Sequence, residues 1–129
     1  MSDFSNFETL ESDSSESTID ALEVLRHPDS ADAVEKIFEL RQSIDSVDED
    51  VIRLLAKRFE FTKRVGEIKA QYGFAPYDSK REKEQIERLN KIAQDVGLET
   101  SIAQAYHEFV VSESKKRHQR IADRPQYAH

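Results

Sequence analysis

The sequence predicts an all-α protein built from one long helix and two shorter ones, and three observations carry that reading. Apolar residues recur at alternating three- and four-residue steps from about residue 31 to 72. Cap signals at residues 73–79 and 97–100 cut the remainder into two shorter helical stretches. Three glycines and three prolines in 129 residues leave little for the turns of a sheet.

The long stretch sets the assembly. Its stripe is Ile37, Leu40, Ile44, Val47, Val51, Leu54, then Phe61, Val65 and Ile68, which holds one face toward a partner helix. Arg58 stands where the register demands an apolar residue, and a guanidinium in a packing seam is costly unless it is paired or meets an anion. Some forty residues at 1.5 Å each make a rod of roughly 60 Å, against a radius of gyration near 13 Å for a domain of about 100 residues. The rest of the chain cannot cover such a rod, whereas a second copy can, so a homodimer is expected.

After the rod, Gly73 supplies a C-terminal cap, and Pro76 forbids continuation. Ser79 and Glu82 have the spacing of a capping box, opening a second helix to about Val96 with Ile86, Leu89, Ile92, Ala93 and Val96 on one face. Gly97 closes it, and Glu99 or Thr100 opens a third helix to about Ala122. The apolar stripe expected there is Ile102, Tyr106, Phe109 and Val110, continuing through the polar Ser114 and His118 to Ile121. Residues 31–122 thus form the expected helical domain, and 123–129, DRPQYAH, a loose end.

Residues 1–30 hold eight acidic side chains against Arg26 and account for the whole net charge of −7, while residues 31–129 carry 18 charges of each sign. A serine-rich acidic segment poor in bulky apolar residues is expected to be a disordered tail, apart from a short turn around Thr18 to Arg26. With no basic excess in the remainder, nucleic acid is not an expected partner. Cysteine is absent, which excludes disulfides and thiolate chemistry. No apolar run approaches the ~20 residues of a membrane span, and the acidic N-terminus is unlike a secretory leader, so no membrane partner and a cytoplasmic location are expected.

Helical geometry sorts the remaining charges. Arg58 and Lys69 are 11 residues apart, close to three turns, and point the same way. Arg41 is 28 residues from Lys69, about 42 Å along the same rod, so it can share their site only from the other chain of an antiparallel pair.

Leu40-Arg41, Ile44-Asp45, Asp48, Leu54-Leu55, Arg58, Val65-Gly66, Lys69 and Asp78-x-x-Arg81-Glu82, followed by Ile86 and Leu89, resemble the all-helical class of chorismate mutases from about residue 36 to 119. The resemblance implies an intertwined homodimer with two active sites, each completed by one arginine of the partner chain. It implies that Arg58 and the partner's Arg41 clamp the two carboxylates of chorismate, with Arg81 helping. Lys69 would donate to the ether oxygen, Glu82 and Asp78 would hold the ring hydroxyl, and Ser114 would line the pocket. Many members carry a glutamine four residues after that serine, as a second donor to the ether oxygen. Here the position is His118, with Gln119 one residue on as the alternative; His118 shares a row with Val110 and Ser114, whereas Gln119 is turned by about 100°.

The implied reaction, chorismate to prephenate, is an intramolecular rearrangement within aromatic amino acid biosynthesis, and it needs no metal, no cofactor and no nucleophile. What a protein can supply is the compact reactive conformer, held by its carboxylates, and stabilisation of charge developing on the ether oxygen. Two other readings stand beside it. One is an isochorismate-pyruvate lyase on the same scaffold; the other is a non-enzymatic helical dimerisation module, against which Arg58 in the seam argues.

Overall fold

The computed structural model describes residue 26 and residues 30–128. The expected acidic tail and its short turn therefore lie outside the described residues, Arg26 and Ser30 excepted, as does His129. Three helices and a short turn follow one another: α1 (Ala31–Gln71), α2 (Ser79–Val96), α3 (Thr100–Ala122) and a 3-10 turn (Pro125–Tyr127). The described residues contain no strand, as an all-α chain requires.

Each boundary has a local cause. α1 contains no proline, and it ends where Gly73 adopts a φ of 72°. There Phe74 N–H donates to the Lys69 carbonyl at 2.8 Å and Gly73 N–H to Ala70 at 3.3 Å, the paired bonds of a left-handed helix stop. Gly97, with φ 78°, ends α2 in the same way, its follower Leu98 donating to Ala93 at 2.8 Å. The start of α2 differs from the capping box expected at Ser79. Asp78 is the cap: its carboxylate accepts from Arg81 N–H at 3.1 Å, while Ser79 is already helical. Aspartate at that place also meets the positive end of the helix dipole, which serine does not. α3 begins after Glu99, whose side chain makes no cap bond.

The chain divides into two compact units between Val51 and Ile52. In the first, the described residues are chiefly the opening part of α1, whose stripe residues Leu40, Ile44 and Val47 are 56–63% exposed. That face of the helix is apolar and open to solvent at these positions.

The second unit holds the remainder of α1, with α2, α3 and the turn. α2 packs along α3. α3 runs parallel to α1: Arg117 lies over the Phe59 ring at 4.5 Å, His118 reaches the Thr62 carbonyl, and Arg124 pairs with Glu67 at 3.5 Å. Where a loose end is expected after Ala122, the structure has that ion pair and the Pro125–Tyr127 turn.

Small side chains make up much of the core of this unit, beside His107, Val110 and Ile121. Gly66 and Ala70 of α1, Ala93 of α2, and Ala103, His107, Val110 and Ile121 of α3 are buried. On α3 Val110 and Ile121 of the expected stripe are buried, but Ala103 and His107 are buried in place of Ile102 and Tyr106, and Ile102 and Phe109 remain about half exposed. Small residues let the helix axes approach, and the large ones face away from that contact. α1 and α3 approach closely at Gly66, where a Cβ would come within 2.7 Å of His118 Cδ2.

Candidate active site

One face of the last four turns of α1 presents Arg58, Thr62, Val65 and Lys69, at steps of four, three and four. The first turns of α2 bring Asp78, Arg81, Glu82 and Gln85 against that face, and α3 adds Val111, Ser114, Lys115 and His118. Together with Pro76 they line a cleft of ≈ 170 Å³. Seven residues singled out in the sequence therefore meet in one place: Arg58, Lys69, Asp78, Arg81, Glu82, Ser114 and His118.

The cleft is electrostatically unbalanced. Among the described residues neither Arg58, Lys69 nor Arg81 has a carboxylate partner within ion-pair distance. Arg58 Nη1 is buried with no hydrogen-bond partner, and so is Ser114 Oγ. Lys69 Nζ donates to the Pro76 carbonyl at 3.3 Å, a neutral acceptor that fixes the ammonium without cancelling its charge. The two acids are engaged: Asp78 caps α2, and Glu82 pairs with Lys115 at 3.5 Å. A buried guanidinium nitrogen left unsatisfied is unfavourable by itself, so the site is arranged for an anion that brings its own acceptors.

His118 and Gln119 are placed differently. His118 lines the cleft, and its Nε2 lies 2.8 Å from the Thr62 carbonyl. A carbonyl only accepts, so Nε2 carries the proton and donates. Gln119 does not line the cleft, and it donates its amide to Asp123 Oδ1 at 2.9 Å. Arg41, in the first unit, is not among the residues lining the cleft.

Thr62, Gln85 and Lys115 line the cleft without having been singled out. The signal for two of them is spacing: Thr62 is one turn from Arg58, and Gln85 one turn from Arg81. Lys115 sits in a run of three basic residues that reads as a solvated helix face. Among the described residues no three His, Asp or Glu side chains converge as a metal-ligand set.

A cleft of unpaired cations for a compact anion is the geometry expected of the family suggested by the sequence, and comparison with known proteins decides the membership. Residues 40–119 match the family described as chorismate mutase type II, well over half of the chain. The chain belongs to the chorismate mutase type II family. The chorismate mutase of Methanocaldococcus jannaschii is 30% identical over 82 residues, which cover 64% of this chain and 83% of that protein. A bifunctional chorismate mutase/prephenate dehydratase of Aquifex aeolicus is 36% identical over 63 residues, 49% of this chain and 17% of that protein. The T-protein of Enterobacter agglomerans is 36% identical over 81 residues, 63% of this chain and 22% of that protein. The chain thus spans most of the first relative but about a fifth of the two longer ones. The family match reaches from just before Arg41 to Gln119, and so contains every candidate site residue.

Proposed function

We propose that the chain is an isomerase that converts chorismate to prephenate, a step of aromatic amino acid biosynthesis, in the cytoplasm. The observation that carries this reading is the convergence of Arg58, Lys69 and Arg81, none with an acidic partner among the described residues, in one small cleft of a chorismate mutase type II chain. Arg58 and the partner's Arg41 grip the two carboxylates through their planar forks, which match a carboxylate bidentately, with Arg81 helping. Lys69, a compact donor already oriented by the Pro76 carbonyl, faces the ether oxygen as its bond to carbon breaks. Asp78 and Glu82 at the start of α2 receive the ring hydroxyl, and Ser114 and His118 close the α3 side.

The same reading takes the functional unit to be a homodimer in which the partner's Arg41 completes each site. The α1 stripe supports it, since its apolar residues Leu40, Ile44, Val47, Leu54 and Phe61 are more than half exposed. The expected domain, residues 31–122, is the part that would assemble. No helix among the described residues is long and apolar enough to cross a membrane.

The test is an assay for loss of chorismate absorbance with prephenate identified as product, run in parallel on isochorismate. Prephenate formed without cofactor or metal supports the proposal. Pyruvate released from isochorismate, with chorismate untouched, overturns it in favour of the lyase.

A further inference from the structure

Lys115 is the one cleft cation whose charge is already spent, and the way it is held suggests why. Its Nζ is 3.5 Å from Glu82 Oε2 and 4.1 Å from the centroid of the Tyr77 ring. Tyr77 belongs to the connection between α1 and α2, next to Pro76, whose carbonyl receives the Lys69 ammonium. The neighbouring Lys116 turns instead to Glu113 on its own helix, at 3.4 Å. Of two adjacent lysines, only Lys115 is directed into the cleft, where it bridges α3 to the start of α2.

Glu82 is largely buried, its side chain 24% exposed, and it shares its cleft with Arg58, Lys69 and Arg81. A carboxylate so placed competes with an incoming dicarboxylate for the same cations. We propose that Lys115 is a positioning residue that holds Glu82 on the α3 side, so that Arg58, Lys69 and Arg81 stay unpaired for the substrate while Glu82 remains able to accept its hydroxyl. Lys115 touches no reacting atom; it acts through Glu82. The inference rests on the proposed chorismate chemistry of the cleft, and it adds a residue chosen for its effect on substrate affinity.

The test is a double-mutant cycle on the full chain, reading kcat and KM for chorismate in the wild type, Lys115→Met, Glu82→Gln and the double variant. Lys115→Met frees the Glu82 carboxylate and is expected to raise KM about fivefold with kcat changed less than about twofold. Once Glu82 is an uncharged amide, the same lysine substitution is expected to leave KM within about 1.5-fold of Glu82→Gln alone. Lys115→Arg is expected to restore the wild-type KM, and added salt should narrow the gap between Lys115→Met and wild type by screening the freed carboxylate. Equal KM increases in both backgrounds, or a loss confined to kcat, would overturn the assignment while leaving the mutase reading intact. A wild-type chain without turnover would overturn both, and that result is read before any variant is made.

Discussion

Lys69 has the only side chain on the α1 face of the cleft whose donor is fixed by the backbone of the following loop, at 3.3 Å from the Pro76 carbonyl. Under the proposed function that bond holds the ammonium before substrate arrives, so its electrostatic contribution would need little reorganisation in the transition state. Lys69→Ala is expected to lower kcat about a hundredfold, or about 3 kcal/mol, with a smaller change in KM, measured by steady-state kinetics on chorismate. His118 poses a different residue-level problem. Its Nε2–H is committed to the Thr62 carbonyl at 2.8 Å, so the neutral ring has only a lone pair left, on Nδ1, and the ring gains a second donor only when protonated. If this ring serves the ether oxygen, His118→Ala is expected to lower kcat, while His118→Gln, whose amide can donate, retains more of the turnover, measured by steady-state kinetics on chorismate. A nearly silent His118→Ala, with Gln119→Ala strongly impaired, would assign the second donor to Gln119.

At the scale of elements, the crossing of α1 and α3 at Gly66 holds both the core and one wall of the cleft. Alanine gains about 1 kcal/mol of helix propensity over glycine in an exposed helix. Here the added methyl would lie 2.7 Å from His118 Cδ2 and 3.2 Å from Ile121 Cδ1, and the ring cannot retreat without losing its bond to Thr62. Overpacking costs typically 1–3 kcal/mol, so Gly66→Ala is expected to destabilise by about 1 kcal/mol net, read from its denaturant midpoint. Combining it with His118→Ala should recover the propensity gain. The helix ends were legible because their chemistry is local: Gly73 and Gly97 each supply the positive φ that a stop requires. The cap at Asp78 was misread by one residue, because Ser79 and Asp78 both carry a capping oxygen and only tertiary placement chooses between them. The buried row of α3 was partly hidden for another reason. Val110 and Ile121 were legible there, but Ala103 and His107 carry weak hydrophobic signals beside Ile102, Tyr106 and Phe109 and are buried in their place. In the site, Arg58 was legible because it breaks an apolar stripe, whereas Lys115 lies among other charges and is distinguished only by what it touches.

For the whole molecule, the decisive quantity is apolar surface that one chain leaves open. Leu54 and Phe61 on α1 are more than half exposed, as are Leu40, Ile44 and Val47 earlier on the same helix. An apolar seam of that length left in water favours association, and under the proposed assembly it is the partner's α1 that covers it. Arg41 then gives the assembly a functional signature that a merely structural dimer lacks. Chains carrying Arg41→Ala and chains carrying Arg58→Ala should each be nearly inactive, since every site in either homodimer lacks one carboxylate clamp. After the two are unfolded together and reassembled, about half of the dimers are expected to be mixed under random pairing, and in a mixed dimer one site receives both lesions while the other receives none. The mixture should therefore regain about a quarter of wild-type activity per site, with light scattering reporting a dimer throughout. Recovery requires that Arg41 and Arg58 of one site come from different chains. If both came from the same chain, each site of a mixed dimer would carry one lesion, and the mixture would stay as inactive as its components.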